Sequence, residues 1–224
     1  MNLVFVAMPA AGKGTIGKIL NSLYGYKIIS TGDILRKESE KNNYIKDTIA
    51  KGNFVNEDLI IKLVKKEILN LGDNLYILDG FPRTLNQAQA YLDMLDEING
   101  NDFAVINFEV SKEIVVKRIM GRRICFSCGA IYNVNFKEAS SKKDGICDFC
   151  NSPLSLREDD NLESIEKRLS EYYEKTLPLI DFFENINKIY TVDANKNIEY
   201  TLSQIKSIIE MEDVKWLQLK LQEN

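Results

Sequence analysis

The sequence predicts an α/β fold: a five-stranded parallel sheet covered by helices on both faces and interrupted by one small insert. Five short apolar runs alternate with stretches of helical periodicity, the pattern of crossovers between parallel strands. The turn after the first run is built of small residues and opens a helix, which marks one edge of a ligand crevice at the carboxyl ends of the strands. Between about residues 121 and 160 the periodicity gives way to aromatic residues, turn signals and all four cysteines, so this stretch reads as an inserted module.

In chain order, residues 3–7 form the first apolar run. The turn MPAAGKGT follows, and a helical pattern then continues to Leu23. Residues 27–29 read as a short second strand, and Thr31, Gly32 and Asp33 as a helix start, with Ile34, Leu35 and helix formers behind them. Asn56 is placed to cap a helix whose apolar positions, Leu59, Ile60, Leu63, Val64, Ile68 and Leu69, fit an amphipathic stripe. Residues 75–78 are a buried-type strand ending at Asp79, 84–98 a helix, 104–108 a strand and 112–120 a helix. After the insert, helical periodicity returns over 162–183, where Pro178 is expected to kink or break it. Residues 189–192 are a last strand and 198–209 a last helix. In the tail, Val214, Leu217 and Leu221 recur at helical spacing and are expected to dock on the core.

A chain of 224 residues accommodates one large domain with an insert, or two small domains. At 45% hydrophobic and 28% charged it has the composition of a soluble globule. A net charge of −4 argues against a broad nucleic-acid or anionic-membrane surface, so any positive field must be local. No apolar run is long enough to span a membrane. Asn2 in the first run and Pro9 just after it leave no secretory leader, so a cytoplasmic, reducing setting is expected. The chain has no histidine, so its chemistry does not rest on imidazole.

Seven arginines stand against 22 lysines: Arg36, Arg83, Arg118, Arg122, Arg123, Arg157 and Arg168. Guanidinium grips phosphate in a bidentate fork, whereas lysine serves solubility equally well. A lysine-rich codon usage explains the low arginine total. It does not explain why Arg83 sits in DGFPRT or why Arg118, Arg122 and Arg123 crowd together.

The turn AMPAAGKGT approximates the phosphate-loop pattern G-x-x-x-x-G-K-[ST]. Gly12 and Gly14 let backbone N–H groups close on phosphate oxygens, Lys13 adds a point charge, and the following helix offers its positive end. The chain departs from the pattern at Ala7, where the first glycine belongs, and at Gly14, between Lys13 and Thr15. Taken alone, such a turn is also compatible with an ordinary strand-to-helix connection.

The segments ISTGDILR at 29–36, DGFPRTLNQA at 79–88, RIMGRR at 118–123 and LREDD with Arg168 follow the loop in order. With them, the chain resembles the adenylate kinase family of nucleoside monophosphate kinases, over nearly its whole length to about Ile209. The resemblance implies a P-loop fold and Mg²⁺-dependent phosphoryl transfer from ATP to AMP, giving ADP. It implies that Ala10, Ala11, Gly12, Lys13, Gly14 and Thr15 hold the ATP phosphates, that Ile131 and Tyr132 touch the adenine, and that Lys196 contacts ATP through its backbone. It implies an AMP site of Thr31, Arg36, Asn53, Phe54, Val55, Gly80, Phe81, Pro82, Arg83 and Gln87, with Asp79 ordering the Mg²⁺ water shell. On residue type alone, Gln87 reads as a solvated helix residue, and the alternative for Asp79 is a buried cap of the next turn. Lys13, Arg83, Arg118, Arg122, Arg157 and Arg168 correspond to the transfer cations, Arg122 also touching ATP and Arg157 and Arg168 also AMP, while Arg123 is less clear in role. The implied division is a core of 1–29, 56–120 and 161–210, an AMP-binding arm of 30–55, a lid of 121–160 and a tail of 211–224. A monomer without nucleic-acid or membrane partners is expected.

The cysteines, Cys125, Cys128, Cys147 and Cys150, read C-x2-C-x18-C-x2-C, two knuckles able to form a tetrahedral thiolate site. Four thiolates fill the coordination sphere, so the ion, Zn²⁺ or alternatively iron, is expected to be structural. Ala7 and Ala10 stand where the family pattern usually has glycine. If either needs positive φ, the cost is on the order of 1–2 kcal/mol.

Overall fold

The computed structural model of the chain describes residues 1–50, 55–98, 102–157 and 160–222. In order, the elements are β1 (Asn2–Ala7), α1 (Lys13–Tyr24), β2 (Lys27–Ser30), α2 (Thr31–Ser39), α3 (Asn43–Ala50), α4 (Glu57–Leu71), β3 (Tyr76–Asp79), α5 (Leu85–Glu97) and β4 (Phe103–Glu109). They continue with α6 (Lys112–Gly121), β5 (Arg122–Ile124), β6 (Ile131–Asn133), α7 (Leu162–Glu171), α8 (Pro178–Asn185), β7 (Ile189–Asp193) and α9 (Ile198–Gln222). The expected five-stranded parallel sheet is present, in the order β2-β3-β1-β4-β7.

The period-two geometry of a strand sorts the apolar residues into two layers. Leu3 and Phe5 of β1, with Ile106 and Phe108 of β4, face a layer built from α1, α6, α7 and α9, through Ile16, Leu20, Ile119, Ile165 and Ile205. Val4 and Val6, with Leu78 and Val105, face the opposite layer, built from Val64 of α4, Tyr91 of α5 and Phe183 of α8. Because helices cover both faces, β1 and β4 need no polar alternation and read as the continuous apolar runs seen in the sequence.

Side-chain oxygens cap the helix starts. Ser30 accepts from the Asp33 N–H at 3.2 Å and Asn56 from the Leu59 N–H at 3.1 Å. Thr84 caps α5, accepting from the Gln87 N–H at 3.2 Å, and Asn161 caps α7, accepting from the Ser164 N–H at 2.9 Å. The expected break at Pro178 takes the form of a five-residue π turn over Tyr172–Thr176, closed by the Leu177 N–H donating to the Tyr172 carbonyl at 2.8 Å. Proline brings no N–H and its ring collides with the carbonyl four residues back, so the turn widens just before it.

Two features differ from the sequence expectation. Helix α3 forms over residues that the sequence expectation assigned to no element, and buried Ile45 anchors it. The last helix does not stop at 209 but runs unbroken from Ile198 to Gln222, and Val214 is 53% exposed rather than docked. Nine residues separate Val214 from buried Ile205, which at about 100° per residue puts it on the opposite face. The side chains of Leu217 and Leu221 lie outside the described residues. The tail is held by polar contacts on the core-facing side instead: Tyr190 Oη donates to Glu212, and Lys215 Nζ reaches Glu212 at 2.5 Å and Tyr190 Oη at 3.2 Å.

The insert is an antiparallel β5–β6 hairpin followed by turns. Its base satisfies carbonyls at the end of α6, which a helix terminus leaves unpaired. Asn133 Nδ2 donates to Arg118 O at 2.7 Å, Asn135 Nδ2 to Lys117 O at 2.9 Å, and the Val134 N–H to Gly121 O at 2.9 Å. Farther out, Ile124 and Ser155 exchange both backbone hydrogen bonds, at 2.8 and 2.9 Å. Among the described residues, no helix is long and apolar enough to cross a membrane.

Candidate functional site

The carboxyl ends of β1 and β3 lie side by side because the two strands pair in parallel, Phe5 opposite Asp79. The loop leaving β1 turns sharply into α1, which begins with no side-chain cap. Its leading N–H groups and dipole therefore face outward, the arrangement that holds anions. Gly12 takes φ 102°, a conformation that L side chains rarely adopt. Ala10 has φ 56°, so of the two alanines in question it is Ala10 that occupies the left-handed region; Ala7 does not. Lys13 Nζ folds back to donate to the Ala7 and Met8 carbonyls, each at 3.5 Å. Burial lowers the Lys13 pKa, opposed by the charge of Asp79 and reinforced by Arg83, Arg168 and Arg122.

Beside this loop opens a cavity of ≈ 130 Å³ whose wall carries Lys13, Arg83, Arg122 and Arg168, together with Ala7, Ala10, Gly80 and Pro82. Four cations thus converge on one space. Arg83 opens onto the cleft and remains a cation, although the crowding of surrounding protein lowers its pKa. The expected site residues Gly80, Pro82 and Arg83 are held by short-range bonds. Arg83 Nε donates to Gly80 O at 2.9 Å, and the Arg83 N–H to Gln87 Oε1 at 2.8 Å. Gly80 has φ 86°, and a Cβ there would fall 2.6 Å from Thr31 Oγ1, so only glycine fits. Phe81 is fully buried beneath the segment.

Asp160 is the principal site residue that sequence reasoning left without a role. Its side chain is 0% exposed and ion-pairs with Arg122, accepting from Nε at 2.7 Å and from Nη2, with Arg168 Nη1 at 3.8 Å. One buried carboxylate thereby pins two of the cavity arginines. Glu171 also lines the cavity, and burial raises its carboxyl pKa against the lowering pull of Lys175, Lys167, Arg83 and Arg168. The π turn places Tyr172 and Thr176 on the same wall, and Thr176 Oγ1 donates to Arg83 O at 3.0 Å. An acidic pair at the end of LREDD was the available signal for Asp160. Its burial is a tertiary fact.

On the arm side, Thr31 is buried and donates to the Gly80 carbonyl at 2.9 Å, joining the start of α2 to the DGFPRT segment. Gln87 is 1% exposed, which removes the solvated reading. Arg36 pairs with Asp33 at 2.5 Å on an exposed face, and Val55 is buried. Asn53 and Phe54 lie outside the described residues. Asp79 is half-buried, its carboxylate near the loop: a Cβ on Gly14 would fall 3.9 Å from Oδ2.

On the opposite side of the loop, Arg118 stands apart from the other arginines. It donates to the carbonyls of Ala11 at 3.4 Å, Ala194 at 2.9 Å and Lys196 at 3.2 Å, tying the loop to the exit of β7. Burial lowers its pKa. Lys196 Nζ lies 4.0 Å from the Tyr200 ring centroid. Arg123 Nη1 bonds the Arg122 and Met120 carbonyls at 2.8 and 3.4 Å, a local backbone role. Arg157 is half-buried near the start of α7 and is not among the described residues lining the cavity. Ile131 is exposed at 47%, whereas Tyr132 turns inward toward the cysteines.

The four sulfur atoms of Cys125, Cys128, Cys147 and Cys150 lie within 4.8 Å of one another. A tetrahedral zinc site with Zn–S near 2.3 Å has sulfurs about 3.8 Å apart, so the cluster fits such an ion. Both knuckles close alike, the Gly129 N–H donating to Cys125 O at 2.8 Å and the Asn151 N–H to Cys147 O at 3.0 Å. Burial raises the Cys147 thiol, but the Tyr132 hydroxyl and the Cys150 and Phe149 N–H groups outweigh it and lower its pKa. Against a lowering bond from Ala130, burial and hydrogen bonds with the neighbouring sulfurs raise Cys128, so without an ion the close-set sulfurs share protons unevenly. Among the described residues the buried cluster of the insert is Cys125, Tyr132 and Cys147, too small to stabilise a module of this length without a further link. The tip of the insert also touches the core: Lys18 Nζ of α1 donates to Gly129 O at 2.7 Å.

With this geometry in place, the chain was compared with known proteins. The sequence model of the adenylate kinase family matches residues 5–188. The chain is 42% identical over 215 residues to an adenylate kinase of Archaeoglobus fulgidus, spanning 94% of this chain and 98% of that protein. It is 41% identical over 216 residues to one of Fervidobacterium nodosum, covering 93% and 97%. A third, from Borrelia garinii, is 40% identical over 215 residues, covering 93% and 98%.

Proposed function

Because the chain belongs to the adenylate kinase family, we propose that it catalyses reversible, Mg²⁺-dependent transfer of the terminal phosphoryl group of ATP to AMP, giving two ADP. The observation that carries the reading is the convergence of Lys13, Arg83, Arg122 and Arg168 on one cavity beside an uncapped helix N-terminus. Two polyanions must be brought together for this reaction, and its loose transition state spreads charge over the equatorial phosphoryl oxygens. Fixed cations that need not reorganise supply the stabilisation, so no histidine or strong base is required.

In this reading the backbone of Ala10–Thr15 and Lys13 cradle the ATP phosphates. Arg83, Arg168 and, from outside the cavity wall, Arg157 are assigned to the AMP phosphate, and Arg122 bridges the two nucleotides. Asp160 holds Arg122 and Arg168 at the cavity. Asp79 is placed to order the water shell of Mg²⁺, which when bound offsets phosphate charge. Arg118 takes part in transfer only by leaving the three carbonyls it now bonds, and otherwise serves to hold the loop. Tyr132 has its side chain committed to the cysteine cluster, so any contact with adenine falls to its backbone, while Ile131 offers an exposed apolar side chain. Gln87 and Thr31 sit where they would position AMP. The insert acts as a lid that excludes water during transfer, and its four cysteines hold a structural Zn²⁺. The protein is read as a cytoplasmic monomer acting on free nucleotides.

The test is a coupled assay of ADP formation. ADP is expected only when ATP, AMP and Mg²⁺ are all supplied. ADP from ATP alone, or none from folded, metal-loaded protein with both nucleotides, would refute the reading.

A further inference from the structure

Tyr132 lies in β6, yet its side chain is 7% exposed and enters the small buried cluster formed with Cys125 and Cys147. Its hydroxyl makes two contacts. It accepts a hydrogen bond from the Asp148 N–H at 2.8 Å, and it lies 3.5 Å from Cys147 Sγ, within range for a bond to sulfur. A phenol has one proton to give, and a metal-bound thiolate can only accept. Once the Asp148 N–H occupies an acceptor site on the oxygen, the phenol proton is directed at the sulfur.

We propose that Tyr132 is a positioning residue for the metal of the insert, its hydroxyl donating to the Cys147 thiolate while anchoring the N–H of the next residue. The inference rests on the reading of the four cysteines as a metal site. Groups that hydrogen-bond to metal ligands fix ligand orientation and tune the charge each ligand offers, and their loss typically costs 10- to 100-fold in metal affinity. Tyr132 is suited to this because it reaches the second knuckle from the first half of the insert. It stands opposite Arg123 in the hairpin, seven residues after Cys125, and bonds residues 147 and 148 on the far side of the site. One side chain thus joins the two halves of the insert independently of the ion.

The test uses full-length protein loaded with Co²⁺, whose thiolate charge-transfer absorption reports on sulfur donation, and follows metal release to a chromophoric chelator. Wild type is expected to take up one ion with the spectrum of a four-thiolate site; no uptake would overturn the metal reading and this inference with it. Tyr132→Phe keeps the ring and removes only the hydroxyl. It is expected to hold the ion about 10- to 100-fold more weakly, with a shifted charge-transfer band. Release and spectrum identical to wild type would overturn the positioning role while leaving the metal reading intact. If Tyr132→Phe fails to fold its insert, 3-fluorotyrosine at the same position serves, since it retains the ring and hydroxyl with a stronger donor. A displaced band supports the inference and an unchanged band overturns it.

Discussion

Replacing Ala10 with glycine is expected to stabilise the protein. Ala10 sits at φ 56° in the loop between β1 and α1, where its Cβ crowds the backbone. A non-glycine residue in the left-handed region carries on the order of 1–2 kcal/mol of strain. Ala10→Gly removes that strain but loosens the unfolded chain, which costs about 0.4–1 kcal/mol. The balance spans about 0–1.6 kcal/mol and is about 0.8 kcal/mol at the centre of the two ranges, or about 2–3 °C in melting temperature for a chain of this size. Ala7→Gly supplies the contrast. Ala7 ends β1 without positive φ, so glycine there relieves nothing and lowers stability by about 0.5–1 kcal/mol. Calorimetry of both variants without nucleotide reads the two signs side by side. Melting of Ala10→Gly at or below wild type, or of Ala7→Gly above it, would refute the strain argument.

Lys13→Met is expected to cut turnover at least ~100-fold, while the nucleotide-free protein melts no lower than wild type because the variant removes a cation that burial disfavours, with Arg83, Arg168 and Arg122 adding to the cost against the pull of Asp79; near-normal turnover would refute its role. Asp160→Asn breaks a buried ion pair and should cost about 3 kcal/mol, read by denaturant unfolding, with unchanged stability as the refuting result. The folded-state pKa of Glu171 is raised by burial, so its stabilising contribution is full below the ordinary glutamate value and is lost as pH rises through the raised one. Glu171→Gln should therefore gain stability relative to wild type between pH 4 and pH 7, and a pH-independent difference would refute the linkage. Removing the metal should lower the melting temperature; unchanged melting after verified removal would sink the structural role of the cysteine site.

The parts of the molecule specified by local pattern were legible in the sequence. The apolar runs became β1, β3 and β4 because burial on both faces leaves no alternation to confuse the reading, and Asn56 became a cap because its side chain bonds an N–H three residues on. The cysteine spacing announced the knuckles. What escaped was set by tertiary context. Asp160 is only an acidic residue before a helix until Arg122 and Arg168 close over it. Tyr132 alternates like any strand residue, and nothing local says that its ring enters the cysteine cluster. Helix α3 is only eight residues long, too short for its apolar spacing to stand out, and α9 continues past 209 because no residue in 210–215 stops it. The φ of Ala10 follows from the path the loop must take, which a glycine would have advertised and an alanine conceals.

The paired backbone bonds between Ile124 and Ser155 have a consequence for how this chain can diverge. They bring the entry and exit of the outer insert together, so that span closes on itself and meets the core through Asn133, Val134 and Asn135 at the end of α6 and through Gly129 on Lys18. Changes beyond the junction at positions outside these contacts are therefore expected to disturb the core little. Changes at the metal knuckles are expected to leave the cavity wall of Lys13, Arg83, Arg122 and Arg168 in place, since none of the four cysteines lines it. The junction is thus a seam beyond which a short span of the chain can vary while the core stays as it is.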